Sequence, residues 1–178
     1  LSSDPEMNWR LSALDSITLL SNSDAHSPDR VGREANAFDC ALDYKEITEA
    51  IRKKDRKKLL FTIEFFPEEG KYHYDGHREC KVIFSPSETK ANQYLCPKCR
   101  KKLTIGVMHR VEELADRPEG FIPKNAIPSI HLIPLEEIIA GALGQRVGTK
   151  AVETEYERLV EKGGPEFRIL LDDSPEEL

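Results

Sequence analysis

An Asp-x-His pair near the start of the chain could bind a divalent metal ion. The pair is Asp24 and His26, and it follows a short apolar and β-branched stretch at residues 17–20. In an extended segment, residues two apart point to the same side, so the carboxylate and the imidazole can meet at one point. Both groups are ordinary ligands of divalent metals. A plain turn, in which Asp24 caps backbone amides, is also compatible with the pattern, so both interpretations stay open.

A second set of metal-binding residue types lies further along the chain. Two residues separate His77 from Cys80, two separate Cys96 from Cys99, and fifteen residues separate the two pairs. This layout is typical of a zinc ribbon with one His in place of a Cys, because each short turn lets two ligands converge on one tetrahedral ion. His73 is a rival for the fourth position, and the spacing favours His77. A redox Cys-x-x-Cys is disfavoured, because a strand over 103–107 is predicted where a redox motif needs a helix.

The elements predicted around these residues are a mixture of helices and strands. We predict a buried strand over 17–22, a helix from Asp43 to about Lys58 and an alternating strand over 59–65. A short helix at 111–115, a proline-rich connection over 117–134 and two helices over 134–142 and 151–162 follow. The turn between those two helices could hold a phosphate through Arg146, Thr149 and Lys150, although a simple helical hairpin explains it as well.

Composition and charge limit the class of protein. The 178 residues include no apolar run of membrane-spanning length and no signal sequence, so we expect a cytoplasmic protein without a membrane partner. Nine acidic and three basic residues in 152–178 account for the net charge of -6. The rest is neutral and contains two basic clusters, at 52–58 and 98–102, which are either solvated faces or phosphate contacts. Cys40 is expected to be a small buried hydrophobe.

Several short motifs follow one another along the chain: Ser21–Pro28, Arg33–Asn36, Phe61–Pro67, Glu69–His73, Gly76–Cys80, Cys96–Cys99 and His109–Pro118. Taken in order, they resemble the endonuclease Q branch of the PHP (polymerase and histidinol phosphatase) superfamily, and the similarity runs from about Trp9 to Leu171. The resemblance implies an α+β chain: the C-terminal fragment of a PHP (β/α)7-type barrel, a small zinc-ribbon-like segment and a helical C-terminal region. The corresponding domains are 1–66, 67–116 and 117–178.

The same resemblance implies a metal-dependent DNA-repair endonuclease that nicks DNA on the 5′ side of deaminated bases or abasic sites. Asp24 and His26 would then bind catalytic Mg²⁺, Mn²⁺ or Zn²⁺, while His77, Cys80, Cys96 and Cys99 would bind a structural Zn²⁺. The opening His-x-His, the middle acidic ligand and the later His of the superfamily have no match here. We therefore expect the chain alone to be inactive and its open barrel edge to favour self-association.

Two alternatives to this function remain open, and whether the chain itself is an enzyme stays open with them. The first is a non-catalytic zinc module that binds nucleic acid or a protein partner, which suits the neutral first 151 residues and the missing ligands. The second is a PHP-type small-molecule phosphoesterase, which would leave the zinc segment without a purpose.

Overall fold

The alternating residues Leu59–Glu64 form strand β2, the central strand of a three-stranded sheet, close to the predicted position. The structure is a computed structural model that describes residues 3–172. Strand β1 (Ala35–Phe38) pairs antiparallel with one edge of β2, and strand β5 (Ser129–His131) pairs parallel with the other edge. Leu59 and Ile63 are buried, so the apolar face of β2 lies in the core as its period of two requires.

Strand β5 was not predicted, because prolines flank it in a stretch that reads as an irregular connection. It is three residues long and lies between Pro128 and Pro134. The Pro128 carbonyl accepts from Thr62 N at 2.9 Å, which starts the parallel ladder. Parallel pairing places His131 opposite Glu64, so this short strand brings a histidine from late in the chain to the end of β2.

The prediction of a buried strand over 17–22 is wrong, since these residues form no regular secondary structure and enter no ladder. Side chains anchor the segment instead. The Asn36 amide bonds both backbone groups of Ser21, accepting from Ser21 N at 3.0 Å and donating to Ser21 O at 2.6 Å. The Thr18 hydroxyl donates to Ile51 O at 2.6 Å. A single asparagine therefore supplies the bonds that a neighbouring strand would otherwise make.

Two helices belong to the same unit as this sheet. Helix α1 (Pro5–Trp9) begins after Asp4, whose side chain accepts from Met7 N. Helix α2 (Tyr44–Lys53) begins at the predicted N-cap Asp43, which accepts from the backbone of the first turn. It ends five residues before the predicted limit, because Lys54 adopts a left-handed conformation with φ of 48°.

The segment with the cysteines is built on a hairpin of strands β3 (Asp75–His77) and β4 (Val82–Phe84). Helix α3 (Pro86–Ala91) follows, with a capping box between Ser85 and Glu88. The strand predicted over 103–107 is wrong. Only isolated bridges form there, between Gly76 and Thr104 and between Leu95 and Lys102, and helix α4 already begins at Val107.

Helix α4 (Val107–Leu114) and the residues after it are tied to the N-terminal segment by charged groups. Arg10 donates to Glu112 at 2.7 Å. Arg117 makes a two-pronged bond to the Asp15 carboxylate, at 2.7 and 2.5 Å. The Ser12 hydroxyl and amide both donate to Asp116. The charged motif 109–118 therefore serves to fix the cysteine segment to residues 10–15.

The helices after Leu132 form a second unit with its own core; the first unit ends at His131. Helix α5 (Leu135–Leu143) ends at Gly144, which is left-handed as a helix C-cap requires. Helices α6 (Lys150–Gly163) and α7 (Glu166–Leu171) complete the unit. Its core is apolar and consists of Leu135, Ile139, Ala140, Val152 and Ile169.

The described residues thus form an α+β chain with two small sheets and several helices. Within them, none of the helices combines the length and the apolar character needed to cross a bilayer. The predicted division at residues 66/67 and 116/117 is finer than the boundary between the two units and stays a prediction. Residues 173–178 of the predicted helical region lie outside the described part.

Candidate metal centre

His77, Cys80, Cys96 and Cys99 come together as the spacing predicts. One ligand atom from each lies within 4.8 Å of all the others, and Cys99 Sγ lies 3.6 Å from His77 Nδ1. With metal–ligand bonds of about 2.0–2.3 Å, two ligand atoms of a tetrahedral zinc site lie about 3.5–3.8 Å apart. The four donors therefore fit a single tetrahedral cation of zinc size.

Local structure explains why these four side chains converge. His77 ends β3, and Cys80 ends the tight turn that leads into β4. The second pair is held by Cys96 N, which donates to Lys101 O, and by Arg100 N, which donates to Cys96 O, each at 2.8 Å. Val82 and Leu103 pack against the fully buried Cys96, so a small apolar core holds this ligand in place.

The pKa values of the cysteine thiols are shifted because the thiols lie close to one another. Hydrogen bonding to Cys99, together with burial, raises the pKa of Cys80 to about 11. Burial opposes the ionisation of Cys96 as well, but backbone amides of Cys99 and Lys98 lower the pKa of Cys96 overall. Three thiols this close together cannot all ionise unless a cation compensates their negative charge. A bound divalent metal ion would supply that positive charge.

His77 is oriented in the way that metal-binding histidines usually are. Its Nδ1 faces the thiols, and its Nε2 lies 3.9 Å from the Glu79 carboxylate. At that distance the two groups make no direct hydrogen bond, so the carboxylate acts on the ring as a nearby negative charge. His73, the rival for this position, is buried away from the cluster, with its ring edge-on to that of Tyr74.

Asp24 and His26 lie on an exposed loop of the same unit. Asp24 has a φ of 48°, so the extended geometry that would direct both side chains to one side is absent. His26 Nδ1 donates to the Asp24 backbone carbonyl at 2.7 Å, which leaves Nε2 with its lone pair available. Among the described residues, no third His, Cys, Asp or Glu completes a metal-binding group with these two.

Arg146, Thr149 and Lys150 lie at the predicted turn before α6. The backbone amide of Gly148, which a phosphate would need, donates to the Glu136 carboxylate at 3.0 Å. Thr149 is the N-cap residue, but its hydroxyl makes no cap bond. Phosphate binding by these three residues stays a prediction.

A second cluster of metal-binding residue types was missed by the sequence analysis. Asp4, Glu6 and His131 place their ligand atoms within 4.8 Å of one another. His131 Nε2 lies 3.1 Å from Asp4 Oδ2, and Glu6 accepts from the Ser129 hydroxyl at 2.5 Å. No local spacing could reveal the cluster, since it joins the start of α1 to β5, and β5 itself was not predicted.

Glu64 lies beside this cluster at the end of β2 and is almost fully buried. Burial raises the pKa of its carboxyl group, although a hydrogen bond from Ser21 works in the opposite direction. The Ser21 hydroxyl lies 2.9 Å from Glu64 Oε2 and 2.6 Å from Ile63 O. The buried Glu64 is therefore hydrogen-bonded to Ser21, which lies three residues before Asp24 in the chain.

A buried Asp–His pair begins at the same strand that carries His77. Asp75 precedes the ligand strand residue His77 by two positions, and its Oδ2 lies 2.6 Å from His109 Nδ1. Its Oδ1 accepts from Gly106 N at 2.6 Å. Gly106 has no room for a side chain, because a Cβ there would lie 2.5 Å from the Tyr74 carbonyl. The pair therefore locks β3 to the start of α4.

Comparison with known structures gives a match over almost the whole chain. The crystal structure of the lesion-specific endonuclease PfuEndoQ from Pyrococcus furiosus superposes with a TM-score of 0.88 and 36% sequence identity, covering 99% of this chain. The resemblance to endonuclease Q is confirmed. A second endonuclease Q structure, in complex with a 27-mer duplex substrate carrying an abasic lesion at the active site, matches with a TM-score of 0.81 and 36% identity over 97% of this chain.

The chain spans less than half of each of these relatives. It covers 44% of both endonuclease Q chains. Protein MJ0043 of Methanocaldococcus jannaschii is 35% identical over 188 residues, and YqxK of Bacillus subtilis is 31% identical over 180 residues; all of this chain matches 23% and 42% of their lengths. The family described as MJ0043 C-terminal domain matches residues 134–178.

Proposed function

We propose that this chain is part of a metal-dependent DNA-repair endonuclease that nicks DNA on the 5′ side of deaminated bases or abasic sites. The observation that carries this proposal is the TM-score of 0.88 against a lesion-specific endonuclease over nearly the whole chain. The related complex with an abasic duplex supports lesion-bearing DNA as the substrate. Because a base in a duplex is hidden in the stack, the target nucleotide would be extruded before it is cut.

In this proposal residues 1–66 are the last part of a PHP barrel, 67–116 are the zinc-binding segment and 117–178 are the helical region. His77, Cys80, Cys96 and Cys99 hold Zn²⁺, and the four-donor geometry supports that role. The ion is structural, since the four protein ligands fill a tetrahedral site and leave no position for water or substrate. It fixes a hairpin with only a small apolar core of its own.

Asp24 and His26 are proposed as ligands of the hydrolytic metals. The bond from His26 Nδ1 to the Asp24 carbonyl supports this role, because it presents Nε2 as the free ligand atom. A divalent cation held there would activate water for attack on the phosphodiester and neutralise the charge that develops. A hydrolytic site needs further ligands, which the described residues do not group with this pair, so we propose that the chain alone is inactive.

A nicking assay on the complete gene product tests the proposal. Duplexes with one uracil, one hypoxanthine or one abasic site are incubated with Mg²⁺, Mn²⁺ or Zn²⁺, and the products are mapped at single-nucleotide resolution. We expect a nick 5′ of each lesion, lost in Asp24→Asn and kept in Asp39→Asn, which makes the same chemical change at an exposed carboxylate. An intact lesion strand under every metal would refute the proposal.

A non-catalytic module that binds nucleic acid is the second candidate. The observation that favours it is the excess of basic residues around the cysteine cluster, in a chain whose net charge is -6. This function predicts DNA binding without any cleavage by the complete gene product, so the same assay separates the two.

A further inference from the structure

We propose that Asp4, Glu6 and His131 form a second metal site, which binds a divalent cation of the Mn²⁺ type. These three residues, here called the α1–β5 cluster, bring one imidazole and two carboxylate groups together, with their ligand atoms within 4.8 Å of one another. The cluster shares no residue with the cysteine ligands or with Asp24 and His26. The inference does not depend on the proposed function, because it rests on the geometry, burial and charge of the cluster itself.

The distance between two of the donors fits neighbouring positions on one octahedral ion. His131 Nε2 lies 3.1 Å from Asp4 Oδ2. Two ligand atoms at right angles, each about 2.1 Å from an ion, lie about 3.0 Å apart. A cation can therefore replace the proton that joins the imidazole to the carboxylate, without a large movement of either side chain.

Hydrogen bonds from the protein orient both carboxylates. Asp4 Oδ1 accepts from Met7 N at 2.8 Å, so Oδ2 is the oxygen that faces His131. Glu6 Oε1 accepts from the Ser129 hydroxyl at 2.5 Å, which holds this side chain against β5. Outer hydrogen bonds of this kind are the usual support of metal-binding carboxylates. Each carboxylate thus keeps one oxygen for an ion while the other is fixed by the fold.

The negative charge at this point of the fold lacks a lysine or arginine partner. Glu64 lies opposite His131 in the β2–β5 ladder and is 5% exposed, so a third carboxyl group lies beside the cluster. Between residues 3 and 172, no lysine or arginine forms an ion pair with Asp4, Glu6 or Glu64. The Asp4 side chain is 11% exposed. Buried charges are normally paired, and a divalent ion would supply the missing positive charge.

An unsatisfied hydroxyl group on the same face of the sheet gives an independent reason to expect a ligand. Thr62 is 1% exposed and pairs with Ser129 in the ladder, so its side chain lies on the face that carries Ser129 and His131. Thr62 Oγ1 lies near the Glu64 carboxyl group but makes no hydrogen bond of standard geometry within the described residues. Three protein ligands leave open positions on an octahedral ion, and a water molecule bound there would give this hydroxyl a partner.

The donor set favours Mn²⁺ over the zinc ion proposed for the cysteine cluster. Carboxylate and water ligands suit Mg²⁺ and Mn²⁺, whereas an imidazole nitrogen suits transition metals, so Mn²⁺ meets both preferences. The bound ion would join Asp4 to His131, which lie 127 positions apart at the two ends of the first unit. It would therefore stabilise this unit by linking the start of α1 to β5.

Electron paramagnetic resonance of Mn²⁺, titrated into the zinc-loaded chain, measures bound and free ions and tests the proposal. We expect Glu6→Gln to weaken Mn²⁺ binding by at least about tenfold, since loss of an outer hydrogen-bond partner alone costs about 10–100-fold. The matched control is Glu119→Gln, the same change at an exposed glutamate outside the cluster, which should leave the affinity unchanged. Zinc content and circular dichroism verify that both variants are folded.

Nuclear magnetic resonance of the histidine side chains locates the ion without any substitution. Bound Mn²⁺ broadens the signals of nearby nuclei, so the imidazole signals of His131 should disappear before those of His26. This result, together with weaker binding by Glu6→Gln, supports the α1–β5 cluster whether or not the complete gene product nicks DNA.

Three results would overturn the inference. They are equal Mn²⁺ affinity in Glu6→Gln and the unmodified chain, no Mn²⁺ bound at millimolar concentration, and earlier broadening of His26 than of His131. The proposed endonuclease would still stand in each case, because its proposed metal ligands are other residues.

Discussion

Removal of the Asp75 carboxylate should destabilise the unit that carries the metal centre. Asp75 and His109 are 0% and 1% exposed in their side chains, and Asp75 bonds both His109 Nδ1 and Gly106 N at 2.6 Å. Asp75→Ala leaves these two buried donors without an acceptor, and each such donor costs about 1–3 kcal/mol. The sum agrees with the loss of about 3–5 kcal/mol expected when one partner of a buried pair is removed.

Two further variants test how the loss of stability depends on the hydrogen bonds of Asp75 and on burial. Asp75→Asn keeps an acceptor for Gly106 N but places an NH2 group, and no acceptor, opposite His109 Nδ1, so we expect about half of the alanine effect. Glu113→Gln is the control. Glu113 lies 3.9 Å from His109 Nε2 with a side chain that is 48% exposed, so its replacement should change the stability by less than about 0.5 kcal/mol.

Urea unfolding at neutral pH, followed by tryptophan fluorescence, measures these differences. The chain has one tryptophan, Trp9, which is 9% exposed in α1 and reports on the first unit alone. Loss of less than about 1 kcal/mol in Asp75→Ala would refute the reasoning, since two unsatisfied donors would then be tolerated in the core. An equal loss in Glu113→Gln would also refute it, because the dependence on burial would be absent.

Three other variants test separate parts of the structure. Burial raises the pKa of the Glu64 carboxyl group above its ordinary value of 4.5, so the stability of the wild type declines as the pH rises from 4.5 through the folded-state pKa. Glu64→Gln should therefore gain stability relative to the wild type as the pH rises above 4.5, and a constant difference would contradict this. Ser85→Ala removes the α3 capping box and should lower the free energy of unfolding by about 1 kcal/mol, whereas Ser87→Ala should not. Leu59→Ala at a fully buried position should lower it by about 3–5 kcal/mol in the same urea assay, and a loss below 1 kcal/mol would contradict its place in the core.

The parts of the fold that follow local rules could be predicted from the sequence. Asp43 caps α2 as expected, Leu59–Glu64 alternates as a strand, and Gly144 ends α5 in the left-handed conformation. The cysteine cluster was predictable for a similar reason, since two short turns fix which side chains can meet. In each case the signal lies within a few residues of the element that it specifies.

The parts that depend on distant partners could not be predicted in the same way. Residues 17–22 have the composition of a strand, but whether they pair depends on neighbours, and the Asn36 side chain takes that place. The pairing of β5 with β2 and the contact of Asp4 with His131 join residues more than 60 positions apart. The Ser85–Glu88 capping box, by contrast, is a local signal that the sequence analysis overlooked.

The central claim is that three thiolates and one imidazole in this chain hold a single structural zinc ion. Zinc X-ray absorption spectroscopy with elemental analysis of the purified chain tests it most directly. We expect one zinc ion per chain with three sulfur ligands at about 2.3 Å and one nitrogen ligand at about 2.0 Å, and loss of the ion in Cys96→Ser but not in Cys40→Ser. A chain without bound transition metal, or a Cys96→Ser variant with unchanged coordination, would contradict the claim.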